Sequence, residues 1–172
     1  GGWGLAVPLE AMSALKDMTV GVVGFGRIGR EVANRLKPFK CKVLVSDPAV
    51  DASSILAAGF TPVALEELLR AGDLVTLHCP SNEKTRQMIN AQAIAKMKAG
   101  AMLVNTSRGT LVKTDDLIAA LQSGKISAAA MDVTDPEPIN PDSPLVKMDN
   151  VIINSHIASA SPQAVRTLRT RA

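Results

Sequence analysis

The fold class this chain predicts is α/β: a Rossmann-type doubly wound parallel sheet with helices on both faces, built as one domain over residues 1–172. Three observations predict it. Short apolar runs alternate with amphipathic stretches along the whole chain, and the runs are strand-sized yet too uniformly apolar to keep one face in water, as buried parallel strands are. The first run ends in Gly24-Phe-Gly-Arg-Ile-Gly29, a cluster of glycines where a strand gives way to a helix.

The elements follow in order. Strands are expected over 19–24, 42–46, 73–78, 101–105, 127–132 and 151–154, each bounded by turn residues. Helices are expected over 27–36, closed by Pro38, and over 53–58, 65–71, 91–97 and 115–122, which Gly59, Gly72, Gly100 and Gly124 close. Residues 134–150 show no periodicity and hold four of the ten prolines, which reads as a surface loop with a functional reason to be ordered. The closing residues, 161–172, read as an unfinished helix. With Gly1 in place of an initiator Met and an ending inside that helix, the chain reads as a piece of something longer.

Composition narrows the partners. A net charge of +3 is spread over interspersed acids and bases, and aromatic residues make up only 2%, so the stacking surface of a nucleic-acid binder is missing. No apolar run has the length of a membrane span, and no signal peptide is visible. Cys41 and Cys79 have neither metal-site nor disulfide-framework spacing, which suits a reducing cytoplasm and a protein without a metal.

The glycines have a chemical reading. Gly24 permits a tight turn, Gly26 lets a pyrophosphate approach the backbone, and Gly29 lets helix and strand pack closely, while Arg27 and Ile28 offer N–H groups at a helix N-terminus. Asp47 stands eighteen residues after Gly29 at the end of the second apolar run, where an acid can bind both ribose hydroxyls of an adenosine. A carboxylate there repels a 2′-phosphate, which favours NAD over NADP. Such a turn also closes many ligand-free βα units, and Asp47-Pro48 is in addition an ordinary turn signal.

Arg108, Glu137 and His156 follow later strands, where their ends converge. Each alone is unremarkable on a protein surface. Together they supply what reduction of a 2-oxo acid needs: a guanidinium for the carboxylate and carbonyl oxygen, a proton donor, and a carboxylate to favour and orient the charged imidazole. Spacing does not establish the Glu137–His156 contact. His78, at the end of its strand, reads either as a neighbour of the adenine side or as a strand cap.

The segments 15–29, Leu77-His-Cys-Pro80, Asn82-Glu-Lys-Thr85, Leu103-Val-Asn-Thr-Ser-Arg-Gly109, 117–124, Met131-Asp-Val133 with Glu137-Pro138, and His156-Ile-Ala158 resemble, in order, the cofactor domain of the D-isomer-specific 2-hydroxyacid dehydrogenase family. That family includes D-3-phosphoglycerate dehydrogenase and the C-terminal-binding-protein corepressors. The resemblance implies NAD as cofactor, Arg108, Glu137 and His156 as the catalytic trio, and Cys79, Thr85, Thr106, Ser107 and Asp132 along the cofactor, with Asp132 near the nicotinamide amide. It also implies a two-lobed parent whose substrate lobe is absent from this chain, with residues 1–18 as the hinge-side entry segment and 161–172 as the start of the return helix, a fragment inactive alone, and a homodimer paired through the cofactor domain.

Some positions depart from the family's common pattern. Ser107 replaces a frequent Ala, Thr110 a Gly, Thr134 an aromatic, Ser155 a Pro and Ser159 a Gly. None belongs to the trio, but they leave the branch open. Two alternatives stand beside the dehydrogenase reading: an NAD(H)-sensing, corepressor-like module without turnover, and another Rossmann-type protein such as a methyltransferase with an adenosyl cofactor.

Overall fold

The computed structural model describes residues 12–171, so most of the expected entry segment lies outside the described residues. The strands are β1 (Thr19–Val23), β2 (Lys42–Ser46), β3 (Thr61–Pro62), β4 (Leu74–Leu77), β5 (Ala101–Asn105), β6 (Ile126–Met131) and β7 (Val151–Ile153). The helices are α1 (Arg27–Leu36), α2 (Ala52–Ala57), α3 (Leu65–Ala71), α4 (Ala91–Lys96), α5 (Thr114–Gln122) and α6 (Pro162–Arg171). All strands pair in parallel, in the order β3-β2-β1-β4-β5-β6-β7. The chain runs outward from β1 through β2 to β3, then returns to lay β4 on the other side of β1. The crevice at the carboxyl ends of β1 and β4 is therefore the switch point, where such sheets bind ligands.

Both faces of the sheet are covered, as the uniformly apolar strands require. Val22, Val43 and Val45 pack with Phe25, Ala33, Ile55 and Phe60 on one side. Their strand neighbours Val23 and Leu44 turn to the other, where Leu68, Leu77, Leu103, Leu117 and Ile126 form the larger cluster. Close approach is built into the backbone here. A Cβ on Gly21 would overlap Leu68 of α3, and one on Gly29 would overlap the carbonyl oxygen of Gly24.

Bounds of α2, α4 and α5 and the starts of β4 and β6 shift by one residue, and three further details differ from the sequence expectation. The strands ending at Val23, Leu77, Met131 and Ile153 stop one residue early, because Gly24, His78, Asp132 and Asn154 keep a ladder N–H bond while their carbonyls leave the ladder. β3 was not foreseen: two residues long and containing Pro62, it carries no strand pattern and sits at the sheet edge, where proline is tolerated. The 134–150 loop includes a 3-10 turn (Pro144–Lys147) that buries Leu145 in the core, so part of it belongs to the interior. No helix among the described residues is long and apolar enough to cross a membrane.

Gly29→Ala should cost about 1–3 kcal/mol of stability, the range for overpacking a close contact that must shift backbone. Urea unfolding of the variant measures it, and an unchanged midpoint would contradict the helix–strand contact.

Candidate active site

After β1 the chain turns at Gly24, whose φ of +94° is open to glycine and strained for other residues. The Gly24 N–H donates to the Ser46 carbonyl at 2.8 Å. Phe25 is fully buried, edge-to-face with Phe60. Its N–H donates to Oδ2 of Asp47 at 2.6 Å, while Oδ1 accepts the Ala49 N–H at 2.8 Å. The half-buried Asp47 therefore ties the glycine turn to the tip of β2, and each carboxylate oxygen retains a free lone pair. Gly26 is the N-cap of α1, and no side chain caps this terminus. Its first-turn N–H groups lack a side-chain acceptor. A Cβ on Gly26 would meet nothing within 4 Å, and Arg27 and Ile28 beside it are exposed.

Next to this turn lies a cleft of about 500 Å³. Val23, Val63, Leu65, Cys79 and Met88 give it apolar walls, and Asp47 and Thr85 supply polar groups. An open glycine, an uncapped helix terminus and an apolar cleft with one carboxylate fit the pyrophosphate and adenosine of a dinucleotide. Thr85 shapes the rim: its Oγ1 donates to the Pro80 carbonyl at 2.7 Å and accepts the Asn82 N–H at 2.8 Å. Burial pushes the Cys79 thiol up, and the charge of Asp47 adds to the effect. Cys79 thus serves as a wall and is poorly suited to act as a nucleophile.

Beyond β5 the half-buried Thr106 and Ser107 lead to the exposed Arg108. Ser107 Oγ donates to the Leu77 carbonyl at 2.9 Å, which pins this turn to the tip of β4. Nη1 of Arg108 donates to the Ser107 carbonyl at 2.7 Å, and the guanidinium makes no ion pair among the described residues. Gly109 then passes so close to the proline loop that a Cβ there would overlap the Thr134 carbonyl. The segments carrying Arg108 and Glu137 are thereby in contact.

His156 follows β7 with φ of +56°, a left-handed backbone uncommon for a non-glycine residue. Three oxygens of Asp132 hold that backbone. The carbonyl of Asp132 accepts the His156 N–H at 2.8 Å, and its buried carboxylate accepts the N–H groups of Ile157 and Ala158, both at 2.9 Å. The ring is held separately, with Nδ1 2.7 Å from Oε1 of Glu137. Nε2 is left as the nitrogen available to a substrate. Asp132, Glu137 and His156 border a cavity of about 410 Å³.

The structure thus gathers Gly24, Gly26, Arg27, Ile28, Gly29, Asp47, Cys79 and Thr85 about the β1–β4 crevice. Thr106, Ser107, Arg108, Asp132, Glu137 and His156 lie along the adjoining tips of β5, β6 and β7. Asn105 was missed: it ends β5 fully buried, and its side chain shapes the Arg108 turn. The available signal was an Asn closing an apolar run just before polar residues, the mark of a side-chain-closed turn. His78 lies between the two groups, its Cβ 3.3 Å from where a Cβ on Gly29 would stand. Its Nε2 is 2.9 Å from Thr76 Oγ1, and its buried Nδ1 has no hydrogen-bond partner among the described residues.

Burial holds the His78 ring below the ordinary histidine value of 6.5. As pH falls through that value the unfolded chain takes up a proton that the folded ring refuses, so stability is lost on acidification until the folded pKa is reached. The thermal midpoint should fall more steeply between about pH 7.5 and pH 5.5 in the wild type than in His78→Gln. Parallel curves would show that the ring is not the cause.

Comparison with known proteins accords with this geometry. Residues 2–158 match the family described as D-isomer specific 2-hydroxyacid dehydrogenase, NAD binding domain. The chain is 40% identical over 150 residues to D-3-phosphoglycerate dehydrogenase of Archaeoglobus fulgidus, covering 87% of this chain and 28% of that protein. It is 45% identical over 143 residues to glyoxylate reductase of Korarchaeum cryptofilum, covering 83% and 43% respectively. The solved D-isomer specific 2-hydroxyacid dehydrogenase from Lactobacillus delbrueckii ssp. bulgaricus, in NAD-complexed form, superposes with a TM-score of 0.87 at 29% identity, over 96% of this chain and 54% of that one. The chain spans less than half the length of these two curated relatives. A match that runs from before the glycine turn to just beyond His156 leaves no room for the methyltransferase alternative: the chain belongs to the NAD-binding domain of the D-isomer specific 2-hydroxyacid dehydrogenases.

Proposed function

We propose that this chain is the cofactor lobe of an NAD-dependent oxidoreductase that interconverts a D-2-hydroxy acid and the corresponding 2-oxo acid, and that a substrate lobe lies in chain outside these residues. The observation that carries the reading is the Glu137–His156 pair at 2.7 Å, on the same sheet edge as the Arg108 turn and the glycine turn. Gly24, Gly26, Arg27, Ile28 and Gly29 would face the pyrophosphate, and the free lone pairs of Asp47 would take the ribose hydroxyls. Thr106, Ser107 and Asp132 would flank the nicotinamide end. When bound, the dinucleotide supplies or accepts the hydride.

The remaining work falls to side chains. Arg108, which makes no ion pair among the described residues, binds the substrate carboxylate and polarises the carbonyl with its planar donors. His156 gives the Nε2 proton to the oxygen that gains negative charge during reduction and recovers it in oxidation. Glu137 at Nδ1 fixes the tautomer and supports the charged ring. Water exclusion requires a closed cleft, so this lobe alone binds NAD without turnover.

In the full-length protein His156→Asn should lower kcat with glyoxylate or hydroxypyruvate by roughly 10²-fold or more, the range for losing a general acid, with NADH affinity retained. Steady-state kinetics and calorimetry check this, and unchanged kcat would remove His156 from the mechanism. A wild-type protein that binds NADH but fails to oxidise it with any 2-oxo acid would favour the sensing module instead.

We further propose a cytoplasmic homodimer paired through this lobe. Free cysteines support the compartment, and β7, which ends the sheet with Ile152 65% exposed, supports a covered edge. Sedimentation velocity should give twice the monomer mass, and a monomer at micromolar concentration would overturn the pairing.

A further inference from the structure

Asn105 has no part in the reaction just described, yet it is 0% exposed at the tip of a central strand. A buried carboxamide needs partners at both ends. Its Oδ1 accepts the Ser107 N–H at 3.0 Å, and its Nδ2 donates to the Arg108 carbonyl at 2.9 Å. Its own backbone carbonyl accepts the N–H of Asp132 at 2.9 Å. One residue therefore closes the turn that carries Arg108 and bonds to the strand tip from which the His156 anchor departs.

The other restraints on this turn act at its margins. Ser107 Oγ bonds to β4, and Gly109 packs on the Thr134 carbonyl. The Leu111 N–H also reaches the Arg108 carbonyl, at 3.2 Å, but among the described residues only the Asn105 side chain bonds the backbone of both Ser107 and Arg108. Side chains of similar size do not replace it. An Asp would set a carboxylate oxygen against the Arg108 carbonyl. A Leu would leave the Ser107 N–H without its acceptor and the Arg108 carbonyl with the Leu111 N–H alone, and a Ser would reach at most the nearer partner.

We propose that Asn105 is a positioning residue for Arg108: by fixing the backbone at Ser107 and Arg108 it sets the direction in which the guanidinium leaves the sheet, and so determines the grip on the substrate carboxylate. The inference rests on the reading of Arg108 as the substrate-binding cation. On the same reading most groups that would hold the dinucleotide stand at the β1 and β2 tips, with Thr106, Ser107 and Asp132 at its nicotinamide end alone, so a fault in this turn weakens the 2-oxo acid far more than the dinucleotide.

The test uses the full-length protein, calorimetry with NADH alone, and calorimetry of the NADH complex with oxamate, an isostere of a 2-oxo acid. Asn105→Asp and Asn105→Ser should each weaken oxamate by about tenfold or more, while the Kd for NADH stays within about twofold. Should the Asp variant fail to fold, the neutral and smaller Ser variant carries the test. In an Arg108→Lys background, which already lacks the planar fork, Asn105→Ser should add little further loss. Oxamate binding unchanged in Asn105→Ser, a parallel weakening of NADH and oxamate, or a full additional loss in the Lys background would each overturn the proposal. A wild-type NADH complex that ignores oxamate would instead overturn the functional reading, and this inference with it.

Discussion

In a parallel sheet the residue just past a strand still has its N–H within the ladder, and this bond governs the whole carboxyl edge of the molecule. Gly24 donates to Ser46, His78 to Val23, Asp132 to Asn105 and Asn154 to Met131. Each of these residues leaves the sheet with its nitrogen fixed and its carbonyl free to turn. Loops that would otherwise wander thus start from set points on adjacent strands, which is how residues more than a hundred positions apart in sequence reach one edge. The bonds also run in series: Asn105 holds Asp132, and Asp132 holds His156.

Electrostatic restraint at this edge comes from the backbone. Asp47 is held by the N–H groups of Phe25 and Ala49, and Asp132 by those of Ile157 and Ala158. No cation pairs with either carboxylate among the described residues. Charge-assisted bonds to fixed amides are short and directional, and burial limits the reach of salt. Ion pairs along α1 and α3, Arg35 with Glu31 and Arg70 with Glu66, lie on exposed helical faces and contribute little to stability.

The alternation of strands and helices was legible in the sequence because fully buried strands need unbroken apolar runs, and glycines mark the helix ends. The glycine turn was equally legible: Gly24, Gly26 and Gly29 occupy the three distinct environments that the spacing implied. Residues whose role is to bond backbone were harder to read. Asn105 has a polar side chain at the end of an apolar run, which composition alone does not separate from a solvated strand tip. Asp132 also bonds the two residues after His156, a contact across a long loop that no local pattern encodes. β3 escaped for another reason: two edge residues, one a proline, are too few to establish a period.

The absent side chain at Gly109 links two loops that lie far apart along the chain. Because the backbone there rests on Thr134, the guanidinium-bearing turn and the proline-rich excursion cannot drift independently through evolution. An insertion that lifted one would strip support from the other. Diversification of substrate preference in this lobe should therefore proceed by paired changes in both, and a graft of either loop alone from a relative should carry its new shape only when its counterpart travels with it.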